Sequence, residues 1–126
     1  MTATARTRRS RSVHVPTVLQ MEEAECGAAS LTMILNYHGS PARLQEVREA
    51  CAVSRNGVDA LRIVSAARSY GMEAKGYRKE FADLHELQLP LIAFWNQNHF
   101  VVVEHLGRRS VRINDPASGR RTVSAD

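Results

Sequence analysis

Cysteine is scarce in this 126-residue chain, which holds only Cys26 and Cys51. Two cysteines make no disulfide framework, and neither sits in a paired spacing that would hold zinc. The sequence therefore points to a reducing, cytosolic setting in which a free thiol survives. Aromatic residues are also few, at 6%. With so few beside the arginines, and no recognisable nucleic-acid module, nucleic acid is not an expected partner. No apolar run approaches the roughly 18 residues needed to span a bilayer, and the N-terminus lacks the apolar core of a signal peptide. What remains is one globular domain, 44% hydrophobic, long enough to bury a core without staples.

Positive charge is in modest excess, at +4, and unevenly spread. Arg6, Arg8, Arg9 and Arg11 open the chain; Arg108, Arg109, Arg112, Arg120 and Arg121 cluster near its end. Such a balance suits anionic lipid or an acidic peptide. Residues 1–12 have almost nothing to bury and read as a disordered basic tail, with docking on a membrane surface as the functional alternative. The folded unit is expected over 13–126.

Val13 to Gln20 reads as extended, and Pro16 places it at a sheet edge or in a lead-in. A first helix is expected from Cys26 to His38, with Ala28, Leu31, Ile34 and Leu35 as its inward stripe and Gly39 at its end. Ser40-Pro41 opens a second helix to about Ala50. A third covers about Val58 to Tyr70, with Leu61, Val64 and Ala67 buried and Gly71 as its stop. Beyond Gly71 the period changes. Met72 to Tyr77 reads as a strand, Phe81 to Leu87 as a short helix, and Leu91 to Trp95 as a buried strand. His99 to His105 and Ser110 to Asp115 follow as a hairpin, and Arg120 to Val123 as a last strand. Helices first and an antiparallel meander second make the class α+β.

The chemistry centres on Cys26. A polar, acidic loop from Gln20 to Glu25 turns abruptly into an apolar helix, and the thiol stands at the junction. There it meets unpaired backbone N–H groups and the positive end of the helix dipole, both of which favour thiolate. Gly27, Ala28 and Ala29 would let another backbone or a substrate approach closely beside Cys26. Glu22, Glu23 and Glu25 read as solvent-facing acids of the first turn, and Cys51 as a buried structural thiol.

A nucleophilic cysteine needs a histidine. His14, His38, His85 and His105 fall on surface or boundary positions, whereas His99 opens the apolar run Phe100 to Val103. A three-residue turn at Leu106 to Arg108 pairs Val103 with Val111, Val101 with Ile113, and His99 with Asp115. The apolar ladder thus ends on a carboxylate beside an imidazole. Asp115-Pro116 is otherwise a simple turn starter. Gln20 is either an oxyanion donor returning to the helix mouth or a surface glutamine. The scattered histidines and cysteines have no metal-ligand spacing, and no cofactor is expected.

Gln20 through Gly39 (QMEEAECGAASLTMILNYHG), Asn98 through Val103, and Asn114-Asp115-Pro116 together resemble the double-glycine leader peptidase domain of bacteriocin-exporting ABC transporters. The branch handling nitrile-hydratase-like leaders is the nearest in look, and the resemblance covers about residues 14 to 123. It implies a papain-like fold with Cys26 as nucleophile, His99 as general base and acid, Asp115 orienting His99, and Gln20 completing the oxyanion hole. It also implies a partner: a precursor peptide with a helical leader, cut after Gly-Gly or Gly-Ala before export. In such exporters the domain sits at the inner face of the membrane, joined to membrane-spanning and ATPase domains. Relatives usually add a further short element beyond the point matching Val123, so an excised, truncated or stand-alone domain is expected. Many relatives carry aspartate where this chain has Glu25. Two other readings use the same residues: a non-catalytic leader-binding module, and a papain-like acyltransferase or amidase.

Overall fold

The computed structural model describes residues 12–54, 57–77, 81–95 and 99–124. Of the basic tail expected over 1–12 only Ser12 is described, and the polar loop 96–98 lies outside the described residues. Helix α1 spans Cys26–Tyr37, α2 Leu44–Ala50 and α3 Ala60–Ser69. The strands are β1 (Leu91–Trp95), β2 (His99–Leu106), β3 (Ser110–Asp115) and β4 (Gly119–Ser124), in the antiparallel order β1-β2-β3-β4. The α+β reading, with N-terminal helices on a C-terminal antiparallel sheet, holds.

Helix α1 is the centre of the molecule. Every residue from Gly27 to Leu35 is buried, so the expected single stripe is instead a helix covered on all sides. It ends as expected, with Gly39 at φ +79, a conformation glycine adopts without a Cβ penalty.

Three local expectations fail. Helix α2 begins at Leu44 rather than Ser40-Pro41, because Arg43 is its N-cap and the Glu46 carboxylate accepts from the Arg43 backbone N–H at 3.2 Å. Asp59 caps α3 by accepting from Arg62 N, which rotates the buried face onto Ile63, Ala66 and Ala67. Leu61 is left 76% exposed. Met72 to Tyr77 forms no strand and joins no sheet ladder. Its Ala74 carbonyl accepts instead from the Arg68 guanidinium, so part of its hydrogen bonding is met by a side chain.

Strand β2 is buried on both faces. Alternation sends Phe100 and Val102 toward the helices, while Val101 and Val103 pack with Leu89, Val111 and Ile113 on the other side. The register to β3 differs from the expected one: Val103 pairs with Ile113 and Val102 with Asn114, two residues along from the anticipated match. A bulge between Val103 and His105 then resets the ladder to His105 with Arg112 and Leu106 with Val111. A two-residue shift preserves the face, so the apolar ladder survives the correction.

The bulged residue is Glu104, whose side chain is fully buried. Its carboxylate accepts from Arg120, Arg112, Asn114 and the Val15 N–H. Arg112 and Arg120 also donate to the Val13 and Val15 carbonyls, so this node clamps the N-terminal segment onto the sheet. Where β1 has ended, that segment takes its place: Val13 N donates to Glu104 O at 2.9 Å, and Ser12 pairs with His105. Two arginines of the C-terminal basic cluster are therefore spent inside the fold.

Burial by itself would raise the Glu104 carboxyl, but hydrogen bonds from Arg120, Val15 N and Arg112 hold it at about 2, against an ordinary 4.5. A lowered folded value stabilises the native state above the unfolded value, and the gain disappears as pH falls toward 2. The difference corresponds to roughly 3 kcal/mol. Glu104→Gln should lose stability of that order at pH 7 and show a shallower decline between pH 4.5 and 2. Urea denaturation of both proteins across that range measures it.

Candidate active site

The site lies where α1 begins and β2 begins. Cys26 is the first residue of α1, and its Sγ accepts from the Phe100 backbone N–H at 3.4 Å. The thiol thus sits against the residue next to His99. The sequence places each group at the end of its element, and burial of the α1–β2 contact brings the two ends together.

His99 Nε2 donates to Asp115 Oδ1 at 2.6 Å. In the observed register, extended by one residue, Asp115 faces Val101, so His99 meets it diagonally rather than directly opposite. The pairing of residues was right and the geometry was not. Because Nε2 is taken, Nδ1 is the ring nitrogen not engaged by Asp115.

Asp115 is 3% exposed and held from three directions. Its Oδ1 also accepts from Ala117 N at 2.8 Å, and its Oδ2 accepts from Arg121 at 3.0 Å. Burial would raise this carboxyl; hydrogen bonds from His99, Ala117 and Arg121 more than offset that and keep it below its ordinary value. The carboxylate is therefore ionised at neutral pH, and it fixes the imidazole tautomer with hydrogen on Nε2. Asp115 also opens the β3–β4 turn, where its carbonyl accepts from Ser118 N and it faces Gly119 across the hairpin. Asp115 thus both starts the turn and bonds the imidazole.

Gln20 lies on the turn that leads into α1. Its backbone N–H donates to Pro116 O at 2.8 Å, tying the loop before Cys26 to the loop after Asp115. Its side-chain amide donates to Glu22 O at 2.9 Å and to Glu23 O at 3.4 Å.

Two expectations about the neighbourhood are overturned. Glu25 is not solvent-facing: it is 5% exposed, accepts from Met21 N and Glu22 N, and pairs with Arg48 of α2. Its place three residues after Glu22, at the entry to a helix, was the available signal. Nor do Gly27, Ala28 and Ala29 form an open floor. Both alanines are fully buried, and a Cβ on Gly27 would stand 2.6 Å from Val58 Cγ1 and 3.0 Å from Ile63 Cδ1. The close approach there is made by the protein's own side chains. Cys51, as expected, is a core thiol, pushed by burial up to about 11. Among the described residues, no three His, Cys, Asp or Glu side chains group as metal ligands.

A thiol at a helix start, backed by an imidazole–carboxylate pair, is the arrangement of a cysteine peptidase. The family model described as the peptidase C39 family matches residues 14–126. The chain belongs to the peptidase C39 family. A solved C39-like structure, a double glycine motif protease from an AMS/PCAT transporter in complex with the leader peptide, is 47% identical. It superposes with a TM-score of 0.87, covering 90% of this chain and 82% of that one. The peptidase domain of Streptococcus ComA superposes at 0.78 with 25% identity, covering 88% and 87%. Among curated relatives, a probable microcin-H47 secretion/processing ATP-binding protein of Escherichia coli is 36% identical over 112 residues, 89% of this chain. The colicin V secretion/processing ATP-binding protein of Escherichia coli is 34% identical over the same length. This C39 chain spans about 16% of the length of each of those two proteins. No described helix is long and apolar enough to cross a membrane.

Because Val58 and Ile63 crowd Gly27, Gly27→Ala in this C39 domain should cost about 1–3 kcal/mol by overpacking. Val58→Ala in the same chain should restore much of it. Thermal denaturation of the single and double variants reads both effects.

Proposed function

We propose that this C39 domain removes the leader from a bacteriocin or similar ribosomal precursor, cutting after a Gly-Gly or Gly-Ala pair. The observation that carries the reading is the convergence of Cys26, at the mouth of α1, on the N-terminal end of β2, where His99 is held by Asp115. The likeness to a double glycine motif protease in complex with its leader supports the choice of substrate.

In this mechanism His99 Nδ1 takes the Cys26 proton, and the Asp115 carboxylate stabilises the imidazolium that forms. Sulfur attacks the carbonyl of the second small residue. The developing oxyanion is held by backbone N–H at the α1 mouth and by the Gln20 amide. Of its two present bonds, the longer one, to Glu23 O, is the one exchanged for substrate. The imidazolium then protonates the leaving amine and the C–N bond breaks, leaving a leader thioester on Cys26. Water, deprotonated by His99, hydrolyses it. Losing one oxyanion donor typically costs about 2.7–4 kcal/mol of transition-state stabilisation.

The partners in this reading are the precursor, bound through a helical leader, and the membrane and ATPase domains of an exporter if the chain is part of one. The domain then works on the cytoplasmic side of the membrane, and residues 13–126 are the peptidase unit.

Cys26→Ala should give no product from a Gly-Gly precursor by mass spectrometry; persistent cleavage sinks the assignment. Asp115→Asn should lower turnover severely while leaving leader affinity nearly unchanged, and loss of leader binding would point to a structural role instead.

A further inference from the structure

Glu25, the residue directly before Cys26, carries a carboxylate that is only 5% exposed. The structure answers that charge closely. Glu25 Oε1 accepts from Met21 N at 2.8 Å and Glu22 N at 3.1 Å, and Oε2 accepts from Arg48 Nη1 at 2.5 Å. The same Arg48 nitrogen donates to Glu22 Oε1 at 3.1 Å. The whole turn from Gln20 to Glu25 is thus wrapped around one buried carboxylate, and that carboxylate is anchored to a separate helix.

The consequence falls on Gln20. Its amide is positioned by the carbonyls of Glu22 and Glu23, and its backbone by Pro116. Glu25 holds Glu22 from both ends: its carboxylate accepts from the Glu22 N–H, and its own N–H donates to the Glu22 carbonyl at 3.1 Å. Without Glu25 or Arg48, two backbone N–H groups or one buried charge lose their partner, and the turn has no reason to keep this shape. Cys26 depends on it less. Its sulfur is placed by α1 and by Phe100 N, and neither is part of the turn.

We propose that Glu25 and Arg48 form a positioning pair that holds the Gln20 turn in its oxyanion-binding shape without acting on the nucleophile itself. The inference rests on the reading of Cys26 as nucleophile and Gln20 as oxyanion donor.

Two reagents separate these functions. A leader-derived peptide aldehyde ending in Gly-glycinal forms a hemithioacetal with Cys26: sulfur bonds to the aldehyde carbon, and the carbonyl oxygen, taking the charge, needs the oxyanion donors. Iodoacetamide alkylates the same sulfur with loss of iodide and no oxyanion. In Arg48→Met the aldehyde should bind about tenfold or more weaker, while Cys26 alkylation stays within about twofold of the parent. Arg48→Lys should recover much of the loss. Glu25→Gln, which keeps an acceptor for Met21 N and Glu22 N, should show a smaller loss of the same sign. It serves as the test should Arg48→Met fail to fold. Unchanged aldehyde affinity in both, or aldehyde affinity and alkylation falling together, would overturn the proposal. If the parent protein forms no hemithioacetal at Cys26, the nucleophile reading fails, and this positioning role with it. Full parent reactivity with unmoved variants removes the positioning role alone.

Discussion

The whole site depends on one strand being pressed from both sides. Strand β2 carries His99 at its start, and Phe100 and Val102 lock it to the helices while Val101 and Val103 lock it to Leu89 and β3. A strand anchored on one face could rock or slip; one anchored on both fixes where its first residue projects. From that single constraint come the contact of Phe100 N with Cys26 and the reach of His99 to Asp115. Cys26 and His99 belong to segments more than seventy residues apart, so no local preference sets their distance. The α1–β2 core does.

The charged residues of the fold serve this same arrangement. Arg112, Arg120 and Glu104 fasten the N-terminal segment beside the bulge of β2, while Arg121 takes the second oxygen of Asp115. A buried ion pair is weak evidence for net stability, because desolvation opposes it. Its better-attested use is geometric. Here one such node fixes the N-terminal segment, a second shares Asp115 with the imidazole, and a third gathers the turn before Cys26. The first and third join segments distant in sequence, and the second joins neighbouring strands.

Much of this was legible beforehand, for definite reasons. Strong periodicity placed α1 and the β2–β3 hairpin, because burial demands those patterns; Leu91–Trp95 is a strand as expected but not a buried one, since it lies at the sheet edge with Phe94 57% exposed. Cys26, His99 and Asp115 stood at element ends, where side chains meet other segments. The register itself was not legible. A bulge at Glu104 costs one residue of alternation, and sequence does not show whether a buried carboxylate will find two arginines. The diagonal contact of His99 and Asp115 survived because the error was an even number of residues. Glu25 and Gly27 were misread for a related reason. Their meaning depends on Arg48 and on Val58, partners that only the packed helices bring near. The failed strand at Met72 to Tyr77 shows the opposite limit: a β-like pattern is no strand without an edge to pair with.

Thiol labelling tests, without any substrate, whether Cys26 and His99 act as a pair. Iodoacetamide at pH 6, followed by peptide mass mapping, should modify Cys26 rapidly and leave Cys51 untouched. His99→Ala should slow the Cys26 reaction by about tenfold or more. A Cys26 no more reactive than free cysteine, or labelling that is indifferent to His99→Ala, would contradict that pairing.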